Sequence, residues 1–136
     1  MNKFLTFVFI ILISLIFACK SSQNRANLII GSWRIDDIEV NQQMSASEKA
    51  NFGLYLAQLK ETSYFTFRND HKYESLYNDD ISKGVWELSK DGMMLITKPD
   101  DKDADTVKVA ELNASTLILL SESDGVTTKI IMKKQK

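Results

Sequence analysis

Apolar and polar residues alternate in short runs over most of the chain, and turn-forming residues separate these runs. Alternation with a period of two is typical of strands that bury one face. Regularly spaced strands joined by tight turns favour a sheet that closes on itself, so the pattern predicts an all-β, eight-stranded antiparallel up-and-down barrel. The predicted strands are Leu28–Val40, Tyr64–Arg68, Lys72–Tyr77, Gly84–Ser89, Met93–Lys98, Thr106–Leu112, Thr116–Glu122 and Val126–Lys134.

The first predicted strand changes its apolar face partway along. Trp33 and Ile35 share one parity, whereas Ile38 and Val40 share the other. One extra residue in a strand restores the apolar face, so the shift at Asp36-Asp37 predicts a β-bulge.

One helix is inserted after the first strand. Ser45 and Glu48 have the spacing of a capping box. Over residues 47–60 the apolar residues recur at the spacing of one helix face, which predicts a helix that packs on the core or covers one end of the sheet. A partner-binding surface is the alternative. The residues of this face are Phe52, Tyr55, Leu56 and Leu59.

The N-terminus has the pattern of an export signal. Lys3 precedes an uncharged and mainly apolar run from Phe4 to Ala18. As a helix this run would reach roughly 22 Å, against about 30 Å for the hydrocarbon core of a bilayer. We therefore predict a signal peptide over residues 1–18, with an uncleaved anchor as the alternative.

The residues Ile16-Phe17-Ala18-Cys19 resemble the lipobox of bacterial lipoprotein signal peptides. The resemblance implies cleavage before Cys19 and its acylation, with palmitate as a typical fatty acid, so that the protein would be attached to the membrane through its N-terminal lipid. Polar residues over 19–27 would then form a tether to a domain spanning 28–136. Lys20 stands where enteric lipoproteins retained in the inner membrane carry an acidic residue, so the resemblance implies an outer-membrane lipoprotein of the cell envelope.

Composition narrows the function classes. The chain has 17 basic and 18 acidic residues, a near balance that argues against nucleic-acid binding. It has one Cys and one His, which excludes an intrachain disulfide and a conventional Cys/His zinc site. We expect no cofactor.

The region of about Leu28–Lys134 is similar to the small lipocalin-like domains of Bacteroidetes-type lipoproteins. The residues that carry this resemblance are Gly31-Ser32-Trp33 in the first strand, Tyr64–Phe67 and Gly84–Leu88. The resemblance implies a small β-barrel that binds a hydrophobic or amphipathic molecule. True lipocalins also carry a late Arg that packs over the first-strand Trp, and no Arg follows Arg68. We expect Lys129 or Lys133 to take that place.

A set of apolar residues is predicted to point into the barrel, either as a filled core or as the lining of a ligand pocket. Strands of this length make a squat barrel and favour the filled case. Inward polar residues would distinguish the two cases, and Tyr73, Tyr77 and Glu87 are the candidates. The pocket candidates are Trp33, Phe65, Phe67, Tyr73, Trp86 and Leu88; the further core residues are Ile96, Val107, Val109, Leu117, Leu119 and Ile130.

Other residues carry little chemistry. Asp101, Asp103 and Asp105 stand at alternate positions, as calcium ligands do in some loops. An EF-hand requires Gly and Glu at the positions that Thr106 and Leu112 occupy here. We therefore expect a solvated loop, with calcium binding as the alternative.

The single imidazole, His71, follows Asn69-Asp70 at a turn position that favours positive φ. Because no nucleophile, base and orienting group can be assembled, we do not expect an enzyme.

The basic ending Lys133–Lys136 is expected to be a solubilising tail, with contact to anionic lipid as the alternative.

Together these features predict a lipid-anchored envelope protein with a lipocalin-like barrel that binds a small hydrophobic or amphipathic ligand. The alternative is a protein-interaction or enzyme-inhibitor module with a filled barrel, whose partner is another envelope protein.

Overall fold

The computed structural model describes residues 24–136 of the chain. The predicted signal peptide and Cys19 lie outside the described residues. Residues 24–29 are helical (α1), and a longer helix (α2) spans Ala46–Thr62. The strands are β1 Gly31–Val40, β2 Tyr64–Phe67, β3 Lys72–Tyr77, β4 Asp80–Leu88, β5 Met94–Pro99, β6 Asp105–Leu112, β7 Thr116–Ser123 and β8 Val126–Lys134.

The eight strands form a closed barrel in which each strand pairs antiparallel with its neighbours in sequence, and β1 pairs with β8. The predicted barrel with one helix after its first strand is confirmed. Two hairpins turn on residue pairs with positive φ, Asn78-Asp79 (52° and 62°) and Asp124-Gly125 (51° and 78°). Such pairs match the twist of the flanking strands. Because the Asn78-Asp79 turn is this tight, β4 begins at Asp80 rather than at Gly84.

The predicted bulge in β1 is confirmed, since the pairing register with β8 shifts between Ile35 and Asp37. As a result Trp33, Ile35 and Ile38 are all buried. A second register shift lies in β6, between Val109 and Glu111.

Helix α2 begins as predicted. The Ser45 hydroxyl accepts a hydrogen bond from the Glu48 backbone N–H, and the Glu48 carboxylate accepts one from the Ser45 backbone N–H. The two bonds satisfy donors that the first turn leaves free.

The interior is one apolar cluster, and most of the predicted inward residues belong to it. Ile96 was predicted inward, and this was wrong. It pairs with Glu87 on the outer face of the sheet, while its neighbour Leu95 is buried. The run Met93–Ile96 is apolar throughout, so alternation could not fix its parity.

The chain enters the barrel through α1 rather than through an extended strand. Residues 28 and 29 were predicted to begin the first strand, but they are helical, and Ile29 is fully buried. Residues 24–27, expected in the tether, are helical too, and Ala26 packs against the core. The connections β2–β3, β4–β5 and β6–β7 lie at this end, which we call the floor end. The opposite end, where α2 lies, is the lid end.

Candidate functional site

Aromatic side chains from three neighbouring strands pack inside the barrel. Phe67 meets Trp86 nearly edge to face, with ring centroids 5.7 Å apart, and lies 6.4 Å from Tyr73. Phe65 packs on Tyr77 at 6.2 Å, closer to the lid end. Such pairs contribute about 0.5–1.5 kcal/mol each beyond their buried area. The alternation of β2, β3 and β4 points these rings inward, and the sequence predicted this.

Trp33 lies at the floor end, where it pairs with Phe65 in the β1–β2 ladder, and is fully buried. Its indole N–H donates to the carbonyl of Ile29 at 2.7 Å, which joins α1 to β1. Gly31, two residues earlier, has φ 134°, and a Cβ there would lie 3.0 Å from Cε of Lys134. The Gly-x-Trp sequence therefore leaves room for a lysine side chain to cross the floor.

Lys134, rather than Lys129 or Lys133, packs over Trp33. Its Nζ lies 5.0 Å from the centre of the indole ring and donates to the carbonyl of Leu28 at 2.7 Å. Burial lowers the pKa of Lys134.

The expectation of Lys129 or Lys133 was wrong because the β1–β8 register pairs Trp33 directly with Lys134. Lys129 forms an ion pair with Glu39 instead, and Lys133 donates to the Thr116 hydroxyl. The ends of β1 and β8 indicate the approximate register of this pair, but the bulge in β1 shifts the pairing by one residue, so the strand ends alone do not fix the partner of Trp33.

Inward-facing hydroxyl groups lie between the aromatic cluster and the lid end. Ser75 is buried and lies opposite Ser82 in the sheet. The Tyr73 hydroxyl is 2.8 Å from the Ser82 hydroxyl. Of the three polar candidates, Tyr73 and Tyr77 do line the interior, whereas Glu87 is exposed on the outer face. The two serines were not predicted to face inward, although both alternate in phase with neighbouring inward residues.

Helix α2 covers the lid end with the side chains predicted for this role. Leu59 is buried, and Phe52 and Leu56 pack against the core. Tyr55 lies at the edge of the contact and is 37% exposed. Burial and a hydrogen bond with Tyr55 raise the pKa of Tyr77 to about 12, so its hydroxyl stays protonated at physiological pH.

Ser63 follows α2 directly and alternates in phase with Phe65 and Phe67. The residue is fully buried, and its hydroxyl has no hydrogen-bond partner among the described residues. An unpaired buried hydroxyl costs about 1–3 kcal/mol, so this hydroxyl is a candidate contact for the polar group of a bound molecule.

The remaining pocket candidate, Leu88, is partly buried and pairs with Leu95 near the floor end. It belongs to the core rather than to the polar region beneath α2. All six candidates therefore lie within three residues of the floor end of their strands, and Trp33 pairs directly with Phe65.

The outer wall carries clefts of its own. One of about 440 Å³ lies over β3 and β4, and its lining mixes Arg68, Lys83 and Glu74. A second, of about 330 Å³, lies beside His71 and Ile96. In the first cleft, Lys83 and Glu74 form an ion pair at 3.1 Å.

The predicted turn role of His71 is confirmed. Its φ is 63°, its ring lies 5.2 Å from that of Trp86, and its carbonyl accepts from the Trp86 backbone N–H. The only imidazole of the chain therefore supports a hairpin.

Asp101, Asp103 and Asp105 are all exposed, in and beside the β5–β6 connection. Within residues 24–136, no group of three or more His, Cys, Asp or Glu side chains is arranged to hold a metal ion. In the same part of the chain, no helix is long and apolar enough to cross a membrane.

The family model for the lipocalin-like domain matches residues 29–119, and the chain belongs to this family. Solved structures from Bacteroides share the fold. A lipocalin-like protein from Bacteroides uniformis ATCC 8492 is 17% identical, with a TM-score of 0.50 over 79% of this chain and 99% of that one. A duf4847 family protein from Bacteroides vulgatus ATCC 8482 is 13% identical, with a TM-score of 0.56 over 80% and 96%. A comparison with curated proteins finds no match. The resemblance to small bacterial lipocalin-like domains, inferred from the sequence, is confirmed.

Proposed function

We propose that this protein is a non-enzymatic, lipid-anchored protein of the cell envelope, attached to the outer membrane, whose barrel binds a small hydrophobic or amphipathic molecule at the lid end. The observation that carries the proposal is the set of inward hydroxyls beneath α2, next to the Phe65–Tyr77 pair. An apolar ligand body would lie on the rings, and a polar head group would reach the hydroxyls.

Ser63 gives the most specific support for this placement. Its buried hydroxyl has no partner among the described residues, and a ligand head group would supply one. A buried polar group that is satisfied only by ligand favours the bound state, because binding removes the cost of leaving it unpaired.

A fluorescence titration tests ligand binding. Residues 20–136 retain every strand of the barrel, and Trp86 lies within the aromatic cluster, so its emission reports on the interior. Fatty acids, sterols, bile acids and haem are the probes. If none of them changes the tryptophan emission, ligand binding is excluded for these classes.

Two serine variants localise the site. Ser63→Ala removes the unpaired hydroxyl and should weaken binding about fivefold, the equivalent of about 1 kcal/mol, without loss of stability. Ser32→Ala is the matched control, since that hydroxyl lies on the outer wall, 2.9 Å from the Thr66 hydroxyl. Equal affinities for wild type and Ser63→Ala would contradict the placement of the head group.

The anchor rests on the sequence, where Cys19 directly follows the apolar run and is the only cysteine. A single acyl chain holds a protein only marginally, whereas two or more give stable attachment. Cells fed labelled palmitate should incorporate it into the wild type and not into Cys19→Ser. Equal incorporation into both would reject acylation at Cys19.

A protein-interaction module is the second candidate, because α2 exposes an apolar side chain. Leu54 is 73% exposed and lies on the outer face of the helix. If the barrel binds no probe while Leu54→Ser abolishes capture of an envelope partner by the full chain, the interaction function replaces the ligand-binding one.

A further inference from the structure

The two ends of the barrel carry opposite charge, although the whole chain has a formal net charge of only −1. The topology produces this separation, since alternate connections of an up-and-down barrel lie at opposite ends. The acidic residues of the floor-end connections and their flanks are Asp70, Glu87, Asp91 and Glu111. The basic residues there are Arg25, Arg68, Lys72, Lys90, Lys134 and Lys136.

At the lid end, acidic residues outnumber basic ones in the strand connections. Lys102 is a basic residue among its strand connections, and it pairs with Asp80 at 3.2 Å. The acidic residues of these connections and their flanks include Asp79, Asp80, Asp101, Asp103, Asp105 and Asp124. The barrel is therefore an electrical dipole along its axis, with the positive pole at the floor.

The chain also leaves the barrel at the floor end. The described residues begin with α1, and Arg25 Nε in this helix donates to the Gly92 carbonyl at 3.1 Å. Four residues separate Cys19 from Asn24. Even in a fully extended chain, the five residue steps between them span at most about 18 Å. An acyl chain on Cys19 would hold the floor end close to the bilayer.

We propose that the floor end is a membrane-docking surface that binds the anionic head groups of the bilayer carrying the anchor, with the lid end directed away from it. The inference rests on the proposed lipid anchor, because the position of Cys19 brings the basic end to the membrane. Basic residues near an anionic surface strengthen binding about fivefold each, and a polybasic surface is a recognised second signal beside an acyl chain. The acidic lid end would be repelled by the same surface.

The test uses residues 20–136, which retain the barrel and lack the acylated cysteine, so the floor surface is measured without the anchor. At low ionic strength the protein should co-sediment with phosphatidylglycerol vesicles and not with phosphatidylcholine vesicles. Salt at about 1 M, where the Debye length is about 3 Å, should release it. Equal sedimentation with both vesicles, or with neither, would overturn the proposal.

Charge-reversal variants locate the surface. Lys72→Glu with Lys90→Glu changes two exposed floor residues and should weaken vesicle binding by at least about 25-fold, because each change removes one attraction and adds a repulsion. Lys49→Glu with Lys60→Glu on α2 is the matched control, with the same change in net charge on exposed residues. If the control pair weakens binding equally, net charge rather than the floor surface is responsible, and the proposal is wrong.

The outcome is separable from that of the anchor itself. Palmitate labelling reports acylation at Cys19 whatever the vesicles show. In the acylated full chain reconstituted in phosphatidylglycerol vesicles, amide exchange should slow in the Asn69–His71 hairpin and stay unchanged in the Asp101–Asp103 connection. Protection of the acidic connection instead would show the opposite orientation and overturn the proposal.

Discussion

The contact between Lys134 and Trp33 should contribute measurably to stability. The charged hydrogen bond from Lys134 Nζ to the Leu28 carbonyl is worth about 1.5–3 kcal/mol, and the contact with the indole ring about 0.5–2 kcal/mol. Burial of the ammonium group, which lowers its pKa, offsets part of this gain. We expect Lys134→Met to reduce the free energy of unfolding by about 2 kcal/mol.

Urea unfolding followed by tryptophan emission is the assay. For a slope of about 1–1.5 kcal/mol per molar urea, the midpoint should fall by roughly 1.5 M. Lys133→Met is the matched control, and its change should be below about 1.5 kcal/mol, because Lys133 is exposed and its one hydrogen bond, to the Thr116 hydroxyl, is only partly buried. Lys134→Arg should keep most of the stability. If Lys134→Met costs no more than Lys133→Met, the proposed role of Lys134 at the floor is wrong.

Two further predictions concern the sheet and its surface. Gly84→Ala should lower the free energy of unfolding by about 3 kcal/mol in the same urea assay, because a Cβ there would overlap the Lys98 carbonyl. Gly53→Ala is the control, since this position on α2 is open, and it should raise the free energy of unfolding by about 1 kcal/mol. Equal effects of the two variants would contradict the close contact between Gly84 and Lys98. A hydrogen bond from Tyr64 and the ammonium of Lys83 lower the pKa of Glu74. The ionised Glu74 carboxylate therefore stabilises the folded state above its ordinary pKa, and this stabilisation is lost as the pH falls through the lowered value. The stability difference between wild type and Glu74→Gln should therefore shrink below about pH 4 in acid titrations, and a constant difference would refute it.

The strand count, the β1 bulge and the capping box could be predicted because each depends on residues that are neighbours in sequence. Trp33 and Ile38, for example, both had to be buried, and only an extra residue between them allows this. The turn at His71 depends likewise on local backbone preference.

Features that depend on pairing between segments distant in sequence could not be predicted from the local pattern of residues. The apolar stretch before Ile96 has no alternation, so its inward residue, Leu95, is defined only by its partner Leu88. Leu28 and Ile29 have β-rich composition but are helical, because the Trp33 indole N–H binds the Ile29 carbonyl and fixes the chain across the floor. The unpaired Ser63 hydroxyl is visible only once the surrounding side chains are placed.

The short β2 strand makes the barrel wall uneven. Its ladder with β1 covers Gly31–Trp33, whereas the ladder between β1 and β8 extends from Trp33 to Val40. Beyond Trp33, the last turn of α2 stands beside β1, where Arg34 donates to the Glu61 carbonyl. Opening the wall at this seam breaks fewer ladder bonds than opening it between β1 and β8. For the ligand proposed above, undocking of α2 along this seam would therefore be the route into the interior that breaks the fewest strand-to-strand hydrogen bonds.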